Sequence, residues 1–173
     1  MTLSEETLKT VCANAYAYTK RPEAEQDTGA RLIGIHLEGP FISMEKKGAQ
    51  NPAYIRNPDV EMFLRLQEAA HGLVRLITIA PETDGAKEFI RRLADQGPCV
   101  MIGRCADYIL AGRPDVVRVF VHADKDFCLE QAMKVDSLPE NEVAKKIAEI
   151  DEYRARYYKH HTGHDWYDAR NYD

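Results

Sequence analysis

The stretch GIHLEGPF, residues 34–41, lies where a short apolar run ends in a carboxylate, a glycine and a proline. The run at 32–37 is short, apolar and bounded by turn residues, which predicts a buried strand. Glycine and proline then force the chain to turn. A helical pattern and a second apolar run at 73–80 follow. This order of strand, helix and strand is typical of a parallel sheet.

Helical and strand patterns alternate along the whole chain. Helices are predicted at 2–20, 57–72, 83–97 and 137–163, and strands at 32–37, 73–80, 99–102 and 116–121. The sequence therefore predicts an α/β fold with a mostly parallel sheet of about four strands and packed helices. With 173 residues, the chain is long enough for one compact body with a real core.

Polar residues mark where several of these helices should begin. Thr2 and Glu5 have the spacing of a capping box, as do Ser137 and Glu140. The Asn-Pro pair at 57–58 has the cap and first-turn chemistry of a helix start. We therefore expect these side chains to cap their helices.

Composition excludes several classes of function. A net charge of -5 and an isoelectric point near 5.7 provide no basic surface of the kind that binds nucleic acid. The apolar runs are far shorter than the roughly 20 residues that cross a membrane. The start of the chain lacks the pattern of a secretory leader, so the cytoplasm is expected. The four cysteines have no CxxC spacing and should be reduced thiols, with a reactive Cys105 beside Arg104 as the alternative.

The first candidate site lies at the end of the first strand. Strand alternation places His36 and Glu38 on one face, and a carboxylate can bind a metal. A catalytic metal usually takes three protein ligands, so a solvated strand-end carboxylate is the alternative. In a parallel sheet, Glu82, Arg104 and Asp124 should lie with Glu38 on the rim formed by the carboxyl ends of the strands.

Three motifs of the first half carry a family resemblance. GIHLEGPFI at 34–42, KGAQNP at 47–52 and IAPE at 79–82 resemble N-acetylglucosamine-6-phosphate deacetylases, which are TIM-barrel amidohydrolases. The resemblance covers residues 1–97 and implies part of such a barrel. It also implies that Glu38 binds a divalent metal, zinc or similar, and that Ala49 and Gln50 contact an amino-sugar phosphate.

Two departures from that family bear on activity. Gln50 stands where the family has a histidine, and a glutamine cannot titrate near neutral pH. Arg104 follows Ile102 and Gly103 where the family has a metal-binding histidine, and a guanidinium cannot bind a metal. We therefore assign no catalytic residue.

The second half resembles another family. The segments 99–110, 117–121, 151–158 and 162–166 are similar to the cytidylate-kinase-like P-loop proteins, a resemblance that covers 98–173. It implies that Arg104, Asp151 and Arg154 bind a nucleotide. An exposed ion pair on a helix is the alternative for Asp151 and Arg154. The chain has no GxxxxGK[ST] loop to hold the donor phosphates.

Histidines and aromatic residues near the end of the chain leave two further alternatives open. A histidine cluster could bind a metal, although histidines are also favourable at a helix C-terminus. An aromatic cluster could stack on a base, although packing within the protein is the commoner role. The histidines are His160, His161 and His164, and the aromatic residues are Tyr153, Tyr157, Tyr158 and Trp166.

The sequence thus predicts an incomplete deacetylase-like segment, derived from a metal-dependent amide hydrolase, fused to a cytidylate-kinase-like segment and without turnover. The alternatives are a nucleotide-binding module, or a ligand-free scaffold or artificial chimera. Partners would be an amino-sugar phosphate or a nucleotide, with no nucleic acid and no membrane. A homo-oligomer is expected through an apolar stripe of the last helix, Val143, Ile147, Ile150 and Tyr157.

Overall fold

The structure is a computed structural model that describes residues 2–21, 31–103, 105–135 and 137–173. The chain divides into two compact units, Met1–Cys99 and Val100–Asp173. Both contain helices, and the strands of the described residues lie in the first, so the chain belongs to the predicted α/β class. None of the described helices is both long and apolar enough to cross a membrane.

The first unit consists of helices packed beside a small parallel sheet. Strands β1 and β2 pair in parallel, with Leu37 opposite Ile77 and Glu38 opposite Thr78. Helices α1 and α2 pack against each other. The elements are α1 (Glu5–Thr19), β1 (Ile35–Glu38), a 3₁₀ turn (Pro52–Tyr54), α2 (Val60–Ala69), β2 (Val74–Thr78) and α3 (Ala86–Ala94).

One apolar cluster forms the core of this unit. It combines residues from α1, β1, α2, β2 and α3 with Phe41 from the turn after β1. The rings of Phe41 and Phe63 both contact the ring of Phe89 edge to face, with centroids 5.2 and 5.9 Å away. The buried members are Leu8, Cys12, Leu37, Phe41, Val60, Met62, Phe63, Leu66, Ala70, Val74 and Phe89.

The predicted capping box at the chain start is wrong. Ser4 caps α1 by accepting a hydrogen bond from the Thr7 backbone N–H at 3.3 Å. Glu5 instead forms an ion pair with Arg65, whose Nε lies 2.6 Å from its carboxylate. Thr2 is buried elsewhere. Glu5 therefore pairs with a residue distant in sequence and does not form the local capping box that its spacing from Thr2 allows.

Two more helix starts differ from the prediction. The cap of α2 is Asp59, whose Oδ1 accepts from the Met62 N–H at 3.0 Å, and not the Asn-Pro pair at 57–58. The last helix begins after Pro139, and its start has no side-chain cap of the kind predicted for Ser137. Helix ends depend on which nearby polar group reaches the backbone N–H groups, which spacing alone does not decide.

The second unit is helical in its regular elements. It comprises α4 (Ala106–Ile109), α5 (Lys125–Met133), α6 (Glu140–Thr162) and a 3₁₀ turn (Ala169–Asn171). Helix α6 ends at Gly163, as predicted, where the backbone takes the left-handed conformation with φ of +77°. Helix α5 packs on α6.

The third and fourth predicted strands are not present as strands. Residues 99–102 and 116–121 are described, and the sheet of the described residues has two strands where about four were predicted. Val117, Val119 and Val121 are exposed and alternate with less exposed residues, so the period of a strand is present. A strand also needs a hydrogen-bonded neighbour, and a local pattern cannot supply one.

Candidate functional site

The GIHLEGPF stretch forms a tight turn with its side chains on two sides. Glu38 is exposed at the end of β1, and Phe41 is fully buried in the core. Between them Gly39 has φ of +84°, and a Cβ at this position would overlap the Thr2 hydroxyl. Glycine is therefore required here for its backbone conformation and for the close approach of Thr2.

The loop that follows is fastened to the rest of the unit by backbone hydrogen bonds. The Arg56 N–H donates to the Pro40 carbonyl at 3.0 Å, and the Ala80 N–H donates to the Phe41 carbonyl at 2.9 Å. These bonds hold the turn between the loop and the end of β2. The sequence predicted an irregular loop at this place, and its anchoring partners lie far away along the chain.

Gln50 is half-buried in this loop and contacts the start of the chain. Its Oε1 accepts from the Thr2 backbone N–H at 2.9 Å and from the Thr2 hydroxyl at 2.8 Å. Ala49 is exposed beside it. The two residues that the deacetylase resemblance assigns to sugar contact are therefore adjacent and near the turn, but Gln50 already has protein partners.

The metal-binding chemistry around Glu38 is limited. His36 lies two residues before Glu38 on β1, and its Nε2 forms a hydrogen bond with the Thr78 hydroxyl at 2.8 Å. Among the described residues there is no group of three or more His, Cys, Asp or Glu side chains placed to hold a metal. One carboxylate and one engaged imidazole do not fit a catalytic metal, which takes three protein ligands.

The predicted rim extends over both units. Glu38 and Glu82 are exposed residues of the first unit, whereas Asp124 is an exposed residue before α5 in the second. Arg104 lies outside the described residues. The shared rim therefore stays a prediction.

Asp151 and Arg154, the other predicted nucleotide contacts, lie one turn apart on α6. Arg154 Nη1 donates to Asp151 Oδ1 at 3.3 Å, and both side chains are about half exposed. Such a pair contributes little stability and leaves the guanidinium within reach of a ligand. The pairing agrees with both the functional prediction and its structural alternative.

The aromatic residues of the second unit pack mainly against other aromatic side chains of the same unit. The ring of Phe120 contacts those of Trp166, Tyr167 and Tyr172, with centroids 5.2, 6.1 and 5.1 Å away. The Tyr172 hydroxyl donates to the Trp166 carbonyl at 2.9 Å. Trp166 is thus part of an aromatic cluster, which accounts for it without a bound base.

The three histidines separate into different contacts. His161 lies against the ring of Tyr157, with centroids 4.3 Å apart, and edge to face with His160. His164, beyond the helix end, contacts the ring of Tyr108. This arrangement favours ring packing over a shared metal.

A polar pair in the second unit, with one buried and one half-buried partner, was missed by sequence reasoning. Tyr158 is 2% exposed, and its hydroxyl donates to Asp107 Oδ2 at 2.6 Å. Burial and this hydrogen bond raise the pKa of Tyr158 above its ordinary value. Burial also raises the pKa of Tyr172, which lies near the same carboxylate. The two partners are 51 residues apart, and no local signal joins them.

A second long-range pair joins Arg118 to Asp173. The Arg118 guanidinium holds both oxygens of the carboxylate, at 2.7 and 3.1 Å, and the Arg118 N–H donates to Asp173 Oδ2 at 2.9 Å. The Asp173 N–H in turn donates to the Arg118 carbonyl at 3.0 Å. The guanidinium and the backbone N–H lower the pKa of Asp173 to about 2.

Comparison with known proteins finds two kinds of relatives for this chain. A sequence model described as the cytidylate kinase-like family matches residues 76–173. The N-acetylglucosamine-6-phosphate deacetylase of Bacillus subtilis (strain 168) is 45% identical over 84 residues, which cover 49% of this chain and 21% of that protein. The N-acetylgalactosamine-6-phosphate deacetylase of Escherichia coli O157:H7 is 35% identical over 78 residues, covering 45% and 21%.

Solved structures of an N-acetyl-D-glucosamine-6-phosphate deacetylase are also similar to part of this chain. The crystal structure of N-acetyl-D-glucosamine-6-phosphate deacetylase from Mycobacterium smegmatis matches with 35% identity and a TM-score of 0.47. The match covers 56% of this chain and 24% of that one. This chain spans about a fifth of the length of the two deacetylases compared above. The two-part composition predicted from the motifs is confirmed.

Proposed function

The chain belongs to the cytidylate kinase-like family, and from this membership and its deacetylase-like motifs we propose that it joins two incomplete enzyme segments without turnover at either. We assign residues 1–97 to the deacetylase-like segment and residues 98–173 to the kinase-like segment, although the match to the kinase-like family begins earlier, at residue 76. The deacetylase-like segment derives from a metal-dependent amide hydrolase but does not complete its site.

The donor set beside Glu38 carries this proposal. The β1 face offers one carboxylate and one imidazole, and the imidazole Nε2 is engaged with Thr78 at 2.8 Å. Arg104 takes the place where the resemblance implies a further histidine ligand. Glu38 with a single imidazole would hold a divalent cation such as zinc weakly at most.

A related argument applies to phosphoryl transfer. This reaction needs a cradle of backbone N–H groups and a lysine around the donor phosphates, and the chain contains no GxxxxGK[ST] sequence. Gly34 and Gly39 have the glycine spacing of such a loop, but Pro40 and Phe41 take the places of its Lys and Ser/Thr. Phe41 is instead part of the core.

Two assays test the absence of turnover. Purified protein with added zinc is incubated with N-acetylglucosamine-6-phosphate, and free amine is measured beside Glu38→Ala as the control. A second assay follows formation of the diphosphate from ATP and cytidine monophosphate. We expect background rates in both. Deacetylation that disappears in Glu38→Ala, or diphosphate formation that depends on this chain, contradicts the proposal.

The second candidate function is a nucleotide-binding module, favoured by the exposure of Arg154 on α6. An exposed guanidinium can bind a phosphate through two N–H groups. In differential scanning with cytidine monophosphate, a rise of the unfolding midpoint that Arg154→Ala abolishes supports this function. Arg156→Ala is the matched control, because Arg156 lies on the same helix, is also exposed and forms an ion pair with Glu152 one turn away.

The same scans test the remaining alternatives. Zinc and glucosamine-6-phosphate should raise the unfolding midpoint only if the predicted deacetylase-like site at Glu38, Ala49 and Gln50 binds them. A chain whose midpoint responds to none of the three ligands is a ligand-free scaffold. The cytoplasm is part of the proposal because all four cysteines are thiols, as in reducing compartments.

Self-association through α6 also belongs to this proposal. Val143 is buried within its own unit, so the contact would use the more exposed Ile147, Ile150 and Tyr157. Ile150→Glu would place a charge on this surface and should dissociate an oligomer. Light scattering of the unmodified chain and of Ile150→Glu at tens of micromolar measures the oligomeric state. A monomeric unmodified chain contradicts the proposal.

A further inference from the structure

We infer that Thr2 and Gln50 form a structural clasp that holds the start of the chain on the Gly39–Phe41 turn, so that position 50 serves as an anchor and offers a ligand only N–H donors. The Thr2–Gln50 clasp, as we name this pair, rests on the proposed function only in taking position 50 as part of the deacetylase-like site.

The clasp has a defined hydrogen-bond polarity. A backbone N–H can only donate, so the Gln50 side-chain atom that faces the Thr2 N–H at 2.9 Å is the amide oxygen. The Thr2 hydroxyl contacts the same oxygen at 2.8 Å and donates to it. An amide oxygen has two lone pairs, and the clasp uses both.

This arrangement explains why glutamine suits position 50. The deacetylase resemblance implies a histidine there, but a neutral imidazole has one acceptor nitrogen with one lone pair in the ring plane. It could accept from the Thr2 N–H or from the Thr2 hydroxyl, and the other donor would be left without this partner. Because Thr2 is only 3% exposed, water would not readily replace the lost bond.

Gly39 is shaped for the same contact. A Cβ at position 39 would overlap the Thr2 hydroxyl, and the backbone there has φ of +84°. Thr2 therefore occupies space that the turn leaves open by having a glycine. The next residues, Pro40 and Phe41, are buried, so the clasp lies beside a well-packed part of the unit.

The clasp adds a polar link between the segment before α1 and the loop after β1. Gln50 belongs to the loop after β1, and its own N–H donates to the Lys47 carbonyl at 3.1 Å, which fixes the turn that presents its side chain. Thr2 precedes α1, whose Leu8 and Cys12 belong to the core. With its oxygen committed to Thr2, Gln50 can give a sugar hydroxyl only its amide N–H groups, and it cannot act as a base or a metal ligand.

A double-mutant cycle on the full chain tests the clasp. Thr2→Val removes the hydroxyl donor at nearly constant volume, and Gln50→Leu removes the acceptor. Each should lower the unfolding midpoint of the first unit by several degrees, since loss of one buried hydrogen bond in a unit of this size shifts the midpoint by about 4–8 °C. The double variant should lose clearly less than the sum of the two single losses, because the hydroxyl bond that Thr2→Val removes is one of the two bonds that Gln50→Leu removes.

Conservative variants separate the clasp from general damage. Thr2→Ser keeps the hydroxyl, and Gln50→Glu keeps an acceptor oxygen, so both should unfold near the unmodified midpoint. Gln50→His, which restores the residue implied by the resemblance, should unfold lower than Gln50→Glu. This last comparison carries the test if Gln50→Leu does not fold.

Either of two results overturns the clasp: an unchanged midpoint in Gln50→Leu, or single losses that add fully in the double variant. Turnover of N-acetylglucosamine-6-phosphate would overturn the proposed function and leave the clasp standing. The two failures are thus distinguishable, because one is measured as stability and the other as rate.

Discussion

The two units of the chain bury different kinds of side chains. The first is centred on one apolar cluster drawn from two paired strands, three helices and the turn at Phe41. The second has buried aliphatic residues, but it also buries Tyr158, which is bonded to the half-buried Asp107, and it contains a partly buried ring cluster around Phe120. In the same unit Val117, Val119 and Val121 face outward.

This difference shows what strand pairing does for an apolar segment. In the first unit β1 and β2 satisfy each other's backbone groups, and their apolar side chains can then enter the core. In the second unit the segment 116–121 has a strand-like pattern but is not part of a sheet of the described residues. We therefore expect the polar bond between Tyr158 and Asp107 and the ring contacts to matter more for stability there.

The largest effect should come from the apolar centre of the first unit. Phe41→Ala removes a fully buried ring that contacts Phe89, and we expect a loss of about 3–5 kcal/mol in the free energy of unfolding. Urea unfolding measures it. Met44→Ala in the same loop removes an exposed side chain and should change stability by less than about 0.5 kcal/mol. Similar losses in the two variants would show that the loop is not anchored by Phe41.

The polar centre of the second unit should be the next most sensitive place. Tyr158→Phe removes one hydroxyl and leaves Asp107 without that donor, which should cost about 1–3 kcal/mol. Tyr153→Phe is the matched control because the Tyr153 ring is on an exposed part of the same helix. Equal stability of Tyr158→Phe and the unmodified chain would remove the contrast between the units.

The same tyrosine predicts a dependence on alkaline pH. The pKa of Tyr158 is raised in the folded chain, so its contribution to the free energy of unfolding is fully present below the ordinary tyrosine pKa of about 10. Above that pH the unfolded chain loses the proton first, and the contribution falls as pH rises. Urea midpoints between pH 8 and 11 should therefore fall more steeply in the unmodified chain than in Tyr158→Phe. Parallel pH profiles would contradict this.

A smaller effect is expected at acid pH from the pair of Arg118 and Asp173. The pKa of Asp173 is about 2, below the ordinary value of about 3.9 for an aspartate. Its contribution is therefore present above pH 4 and is lost as pH falls toward 2. Asp173→Asn should be slightly less stable at pH 6, and the difference should vanish near pH 2. A difference that persists there would mean that charge is not its source.

The smallest effect should come from the exposed valines. Val119 is 70% exposed, so Val119→Thr should change the free energy of unfolding by less than about 0.5 kcal/mol. Thermal unfolding of the variant beside Tyr158→Phe gives the direct contrast within one unit. A loss equal to that of Tyr158→Phe would indicate that the segment is covered in solution.

Several features of the fold and the site follow from local sequence. The first two strands and the stop of α6 at Gly163 agree with the predicted segments, because apolar runs between turn residues and a glycine after a helix are strong local signals. The strand-end position of Glu38 follows in the same way. The two-part family composition was also readable, since each part keeps several motifs in order.

Other features needed partners that are distant in sequence. The 99–102 and 116–121 segments have strand composition, but a strand forms only where a neighbour supplies its hydrogen bonds. Thr2 has the spacing of a capping residue, yet it donates to Gln50, which is 48 positions away. The bond between Tyr158 and Asp107 has no counterpart in any local pattern.

The sequence by itself determined the α/β class, the position of the motif turn and the kinship of each part of the chain, because these depend on residue type and short spacing. Only the tertiary structure decided which polar groups became partners: Thr2 with Gln50, Tyr158 with Asp107 and Arg118 with Asp173. A donor or acceptor that is removed from water must find whichever partner the fold brings within about 3 Å. That choice is made by packing across the whole unit, and not by neighbours along the chain.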